Sequence, residues 1–173
     1  PAPVEIIVVD DASTEFDLRK VKTLAGANFI RLERNGGYPV ACNVGAKAAK
    51  GGVILFLNSD IEAHPGWYEP LMGAFLRPGQ ETVAVVGVKT VFPIQYWCPV
   101  CRIYGPTDAC NQGHKAEPVE LIQSCGGWFD AGKGPYHRYL GWRADHPLCN
   151  VAEDVSWVTG AAMAVRGDVI RAM

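Results

Sequence analysis

The sequence has no basic cluster and no surplus of one charge: 16 Lys+Arg stand against 18 Asp+Glu in 173 residues, for a net charge of −2. A nucleic-acid binder neutralises several phosphates and carries a clustered positive footprint, so this balance argues against a nucleic-acid partner. Long hydrophobic runs are missing too. The longest, such as Ile6–Val9 and Val53–Leu57, fall far short of the ~20 residues that cross a bilayer, and no transmembrane segment is expected. Pro1–Val9 has no basic leader ahead of a long apolar stretch and does not read as a secretory signal. There is no internal repeat, no low-complexity tract, no dinucleotide-binding fingerprint and no P-loop. What remains is 49% hydrophobic, 20% charged and 10% aromatic, the proportions of one soluble domain or a piece of one. A chain of this size can bury a core without disulfides.

Glu5–Val9 is a β-branched run with neither an initiator Met nor a polar leader before it, and Gly167–Met173 reads as the first turns of a helix that stops. The expectation is a single-domain fragment, short at both ends. Between them strands and helices alternate. Glu5–Val9 reads as a buried strand that empties into Asp10-Asp11-Ala12-Ser13-Thr14. A helix follows, with Thr14 and Asp17 as a capping pair and Leu18, Val21 and Ala25 as its apolar face, and Gly26 stops it. Phe29–Leu32 is a second strand, Asn35-Gly36-Gly37 a loop, and residues 40–50 a small-residue helix. Val53–Leu57 has the continuous apolar character of a central parallel strand. A helix carrying Trp67, Leu71 and Phe75 and a strand at 83–88 complete the series. This order predicts an α/β fold with a mostly parallel sheet covered by helices on both faces.

Beyond Lys89 the pattern changes: prolines, glycines and cysteines crowd residues 93–118, which read as a Cys-rich irregular insertion. Residues 119–123 form a short strand, 126–147 a long loop, and 156–166 a further strand. The domain thus divides into 1–92, 93–118 and 119–173.

Three polar clusters fall at strand ends: Asp10-Asp11, Asn35-Gly36-Gly37 and Asn58-Ser59-Asp60. In open α/β sheets ligands sit beyond the carboxyl ends of the strands. A carboxylate there, backed by an amide and a hydroxyl, supplies the hard oxygen ligands that Mg²⁺ or Mn²⁺ takes. The competing reading is local, since Asp and Asn after a strand commonly cap turns and helix starts.

Taken in order, Ile7-Val8-Val9-Asp10-Asp11-Ala12-Ser13, Asn35-Gly36-Gly37-Tyr38, Asn43-Val44-Gly45 and Leu55-Phe56-Leu57-Asn58-Ser59-Asp60 resemble the family 2 inverting glycosyltransferases. Their GT-A fold is a Rossmann-like nucleotide-sugar-binding sheet. Gly134–Asn150 and Trp157–Met163 resemble the members that build O-antigen and other surface polysaccharides, rhamnosyltransferase-like ones included. The resemblance implies donor-binding roles for Asp11, Asn35, Gly37, Asn43, Asp60 and Gly160. Asp11 corresponds to the acid that bonds the nucleotide base. Asp60 corresponds to the metal-binding aspartate of the DxD-type motif, and Asn58 supports it where many members have Asp. Thr159-Gly160-Ala161 approaches the sugar or the acceptor.

The activity so implied is transfer of a sugar from a nucleotide-diphosphate donor to a glycan or lipid-linked acceptor, with inversion, in cell-surface polysaccharide synthesis. A divalent cation on Asp60 stabilises the charge on the departing diphosphate. The base that deprotonates the acceptor lies, in the family, in an acidic motif after the segment equivalent to Trp157–Met173, which places it beyond this chain. Glu153 and Asp154 are acids near the end of the chain, and nothing in the sequence places them as that base. The sequence leaves two rivals: a sugar nucleotidyltransferase, which wants a Gly-rich basic phosphate loop that is not visible, and a non-catalytic nucleotide-sugar-binding or scaffold module with a zinc-tied insertion.

Six cysteines without a secretory signal point to reduced thiols in the cytoplasm, with any membrane association made through the acceptor or through missing regions. Cys98-Pro99-Val100-Cys101 and Cys110-Asn111-Gln112-Gly113-His114 place a Cys-x₂-Cys and a Cys-x₃-His within one insertion. Cys98, Cys101, Cys110 and His114 suit a tetrahedral structural Zn²⁺, against the alternatives of unlinked thiols or a disulfide. His137, in an aromatic-rich loop, is either a contact to the diphosphate or the metal, or a surface histidine without a role. The Trp and Tyr residues around it either stack on a sugar or pack the loop.

Overall fold

The computed structural model describes residues 4–14, 26–76, 79 and 81–173. The helix expected on Leu18, Val21 and Ala25, with Asp17 in its cap, lies outside the described residues. In chain order the first elements are β1 (Ile7–Asp10), β2 (Asn28–Arg31), α1 (Tyr38–Ala48), β3 (Val53–Leu57), α2 (Tyr68–Leu76) and β4 (Val85–Gly87). Then come β5 (Thr90–Val91), β6 (Gln95–Cys98), β7 (Ile103–Gly105), β8 (Glu117–Val119), β9 (Ile122–Ser124), β10 (Gly127–Asp130) and β11 (Gly134–His137). A 3-10 turn (Pro147–Asn150), β12 (Ala162–Arg166) and α3 (Gly167–Ala172) end the chain. Contacts group these into two compact units, one of Pro1–Phe56, Met72–Val85 and Ala164–Met173, the other of Leu57–Leu71 and Val86–Met163.

In the first unit β1 and β2 pair in parallel, with Ile7 opposite Asn28 and Asp10 opposite Arg31. Their β-branched and aromatic residues suit a half-buried pleated surface. Gly37 starts α1 with φ 81°, a left-handed conformation that glycine adopts without steric cost, and a proline sits in the first turn. The helix packs on β1, where a Cβ at Gly45 would stand 3.3 Å from the Val9 side chain. Ala46 is its buried residue, so small side chains let this helix approach its strand.

β3, β12 and β4 form a three-stranded sheet with β12 in the middle. In the first unit the Gly167 N–H donates to Gly52 O (2.8 Å) and the Arg166 N–H to Ala84 O (2.9 Å). In the second, the Asn58 N–H donates to Ala161 O (2.9 Å) and the Val88 N–H to Ala162 O (3.4 Å). Numbers rise on one strand as they fall on its partner, so β12 runs antiparallel to both neighbours. The α/β character is as expected, but the described strands do not form a mostly parallel sheet: β1–β2 is the only parallel pairing among them.

The second unit is built from short antiparallel strands. β5 pairs with β9, β6 with both β7 and β8, and β10 with β11. The expected irregular insertion is therefore ordered, as a sheet in the order β7-β6-β8. The expected long loop at 126–147 contains the β10–β11 hairpin, whose turn is closed by Gly132 and Lys133 N–H groups donating to Asp130 Oδ1 at 2.8 and 3.0 Å. Such an Asx turn reverses the chain locally. Ile122, Ala144 and Cys149 form the buried centre of this unit, with Val91, Cys125 and Tyr139 packed against it.

Candidate functional site

In the first unit the ends of β1 and β2 meet through charge. Asp10, only 6% exposed, accepts from the Arg31 guanidinium at 2.6 Å and from the Ser13 N–H at 3.0 Å. The same guanidinium donates to Ser13 O at 3.0 Å. The Asp10 carboxyl is held below its ordinary range, first by the Ser13 hydroxyl, against desolvation, then by the Ser13 N–H and the Arg31 charge. The Asp10-Asp11 pair stands out in the sequence, whereas Arg31 does not, because it meets Asp10 only through the parallel register.

Asp11, beside it, turns to the glycine loop. Its Oδ1 accepts from the Gly36 N–H (2.8 Å) and its Oδ2 from the Gly37 N–H (2.7 Å), while Asn35 Nδ2 donates to Asp11 O at 3.2 Å. Successive backbone N–H groups form a concave anion-binding nest, and here the anion is a side-chain carboxylate. The backbone needs glycine: a Cβ on Gly36 would stand 2.8 Å from Val40, and Gly37 has a positive φ. The structure thus brings together Asp11, Asn35 and Gly37. Asn43 lies exposed along α1.

In the second unit Asn58 and Asp60 flank a turn in which the Ile61 N–H donates to Asn58 O at 3.3 Å. Asp60 is exposed, whereas Asn58 Oδ1 is buried and has no hydrogen-bond partner. The Thr159-Gly160-Ala161 segment joins this strand end through the Asn58 N–H donating to Ala161 O, and the Ala161 N–H donates to Thr159 Oγ1 at 3.3 Å. An orphaned amide oxygen and an exposed carboxylate two residues apart are hard donors of the kind that Mg²⁺ and Mn²⁺ take alongside water and phosphate oxygens. The donor types present fit such an ion.

The loop residues have structural partners. His137 Nδ1 lies 3.3 Å from Ser124 Oγ and the ring packs edge-on against Trp157, centroids 4.6 Å apart. The Arg138 guanidinium pairs with Glu153 at 2.6 Å, donates to the Tyr139 hydroxyl at 2.6 Å and lies over the Tyr139 ring. Glu153 is thereby engaged, while Asp154 is exposed. Trp142 packs on Tyr139 and His146, each pair of centroids 5.0 Å apart. These aromatics hold the loop to itself.

The four candidate zinc ligands also converge in the second unit. Cys98 Sγ, Cys101 Sγ, Cys110 Sγ and a ring nitrogen of His114 all lie within 4.8 Å of one another. All six cysteines are free thiols. Burial works to raise the Cys110 thiol, but the Gln112 and His114 N–H groups, together with the Cys101 and Cys98 side chains, outweigh it and pull it down to about 6.

A glycine loop bonded to a strand-end aspartate, and a second strand end with an amide–carboxylate pair, are the features that pointed to sugar-nucleotide chemistry. Residues 1–100, more than half of the chain, match "Glycosyl transferase family 2"; the chain belongs to that family. Its similar proteins include human polypeptide N-acetylgalactosaminyltransferase 15, 38% identical over 87 residues, covering 47% of this chain and 14% of the relative. Human polypeptide N-acetylgalactosaminyltransferase 6 is 41% identical over 92 residues, 50% of this chain and 14% of the relative. Polypeptide N-acetylgalactosaminyltransferase 13 of Rattus norvegicus is 43% identical over 110 residues, 58% of this chain and 19% of the relative. The matches span less than a fifth of each of these relatives. No solved structure matches the chain significantly.

Proposed function

We propose that this chain carries the donor side of a glycosyltransferase, which moves a sugar from a nucleotide-diphosphate donor to a hydroxyl acceptor with inversion at the anomeric carbon. The observation that carries the reading is the double hydrogen bond from the Gly36 and Gly37 N–H groups to the Asp11 carboxylate. It holds an acid and a glycine loop together at one strand end, which supports reading them as the nucleotide side of the site. Asp11 and Asn35 orient the base, and the glycines leave room for a ligand to approach the backbone. Asp60, with Asn58, holds Mg²⁺ or Mn²⁺, which supplies charge stabilisation for the departing diphosphate. Thr159-Gly160-Ala161 positions the sugar or the acceptor beside that strand end. Polypeptide N-acetylgalactosaminyltransferases among the relatives make N-acetylgalactosamine the first donor sugar to test and a polypeptide the first acceptor. The polysaccharide acceptor suggested by the O-antigen resemblance is the second.

Calorimetric titration of UDP, GDP and dTDP into the chain, with and without Mn²⁺, tests the donor site on wild type and Asp60→Ala. Metal-dependent binding of one nucleotide, lost in Asp60→Ala, is the expected result. A folded chain that binds none of the three refutes the donor site and leaves the scaffold reading.

A further inference from the structure

We infer that Cys98, Cys101, Cys110 and His114 bind a structural zinc ion that clamps residues 93–118. With Zn–S of about 2.3 Å and Zn–N of about 2.0 Å, a tetrahedral site sets S···S edges of about 3.8 Å and S···N edges of about 3.5 Å. Cys101 Sγ lies 3.7 Å from Cys110 Sγ, His114 Nδ1 lies 3.3 Å from Cys101 Sγ and 3.6 Å from Cys110 Sγ. A disulfide needs an S–S distance of about 2.05 Å, so the Cys101–Cys110 spacing is that of two ligands of one ion.

The backbone is shaped for the same purpose. Cys98 ends β6, Arg102 turns back with φ 56° and its N–H donates to Cys98 O at 2.8 Å, and β7 returns antiparallel. Within this turn the Cys101 N–H points at Cys98 Sγ, 3.4 Å away. The second turn repeats the device. The Cys110 N–H donates to His114 O (3.0 Å), the Gly113 N–H donates to Cys110 O (2.8 Å), and Gly113 has φ 76°. Two such turns facing each other, one bearing Cys-x₂-Cys and the other Cys-x₃-His, give the Cys₃His donor set of structural zinc sites.

Packing explains why an ion is needed. Within residues 93–118 only Cys98 and Ala116 are buried, while Ile94, Val100, Ile103 and Tyr104 are exposed at 55, 65, 45 and 49%. Hydrophobic burial therefore does little to hold the β7-β6-β8 sheet, and metal binding supplies the folding free energy that a core would otherwise provide. Three sulfurs this close would also repel one another as thiolates without a divalent cation.

The test uses the full chain. Metal analysis of protein purified from zinc-supplemented cells should give one zinc per chain, and replacement by Co²⁺ should give the intense visible bands of a tetrahedral site with thiolate-to-cobalt charge transfer. Cys110→Ser should lose the ion. Because that variant can misfold, His114→Cys provides the second arm: it should keep the metal and raise the charge-transfer intensity by about one third, from three thiolates to four. Arg102 and Lys115 are exposed in or beside the two turns, so trypsin should cut there at least tenfold faster after chelation than with zinc bound. A folded chain with no zinc and six freely titrating thiols overturns the inference. So does a weak, octahedral-type cobalt spectrum, or a His114→Cys spectrum identical to wild type.

Discussion

The carboxylate of Asp11, at the end of β1, receives the backbone N–H of Gly37 at 2.7 Å and so fixes the residue from which α1 starts. Hydrogen bonds to a charged acceptor contribute about 1.5–3 kcal/mol each. Asp11→Ala releases the Gly36 and Gly37 N–H groups together and frees the loop. The expected outcome is a loss of nucleotide affinity of about tenfold or more by calorimetry, equivalent to about 1.4 kcal/mol. An unchanged affinity would remove Asp11 from the donor site.

At the other strand end the buried Asn58 Oδ1 lacks a partner. An unsatisfied buried acceptor costs about 1–3 kcal/mol, which offsets whatever packing the side chain contributes. Asn58→Ala should therefore unfold within about 1 kcal/mol of wild type in urea with EDTA present. Its extra stabilisation by Mn²⁺ plus the bound nucleotide should fall by at least half. An undiminished Mn²⁺ effect would show that Asn58 is no ligand.

Asp10 and Arg31 predict a pH dependence. Asp10 is held below its ordinary pKa when folded, so its ionised form favours the native state. That contribution is complete above about pH 3.9, the unfolded value, and is lost as pH falls through the depressed folded value. Asp10→Asn should cost about 1–3 kcal/mol in urea unfolding at pH 7. The penalty should shrink steadily below pH 4, and a penalty constant down to pH 2 would exclude the ion pair as its source.

Glu153 gives a split between stability and turnover. Its pairing with Arg138, whose side chain is 13% exposed, makes it a structural partner. Glu153→Gln should lower stability by about 1–3 kcal/mol while leaving the rate of nucleotide release in a transfer assay within twofold of wild type. Loss of turnover at unchanged stability would make Glu153 the catalytic base.

How much was legible beforehand follows from the range of each interaction. β3 and α1 were readable within a few residues, because a continuous apolar run and a small-residue helix after Gly36-Gly37 are local signals. Asp11, Asn35 and Gly37 stand out by motif, and the Cys98, Cys101, Cys110 and His114 cluster by spacing alone. The antiparallel course of β12 was not readable, since no residue within 162–166 states which strands flank it. The hairpin β10–β11 was hidden for another reason. Its residues Gly127, Gly134 and Pro135 have little β-propensity, and Gly127 is present because the Trp157 ring occupies the space where a side chain would stand.

The sequence by itself determined the family and the types of the described elements β1, β2, α1 and β3, because these depend on periodicity and on side-chain chemistry over short spans. Only the tertiary structure decided that Arg31 meets Asp10, that both glycine N–H groups reach Asp11, and that Cys98 and His114 share one site across 16 positions of chain. Those outcomes depend on strand register and turn geometry, which are fixed by packing between distant segments.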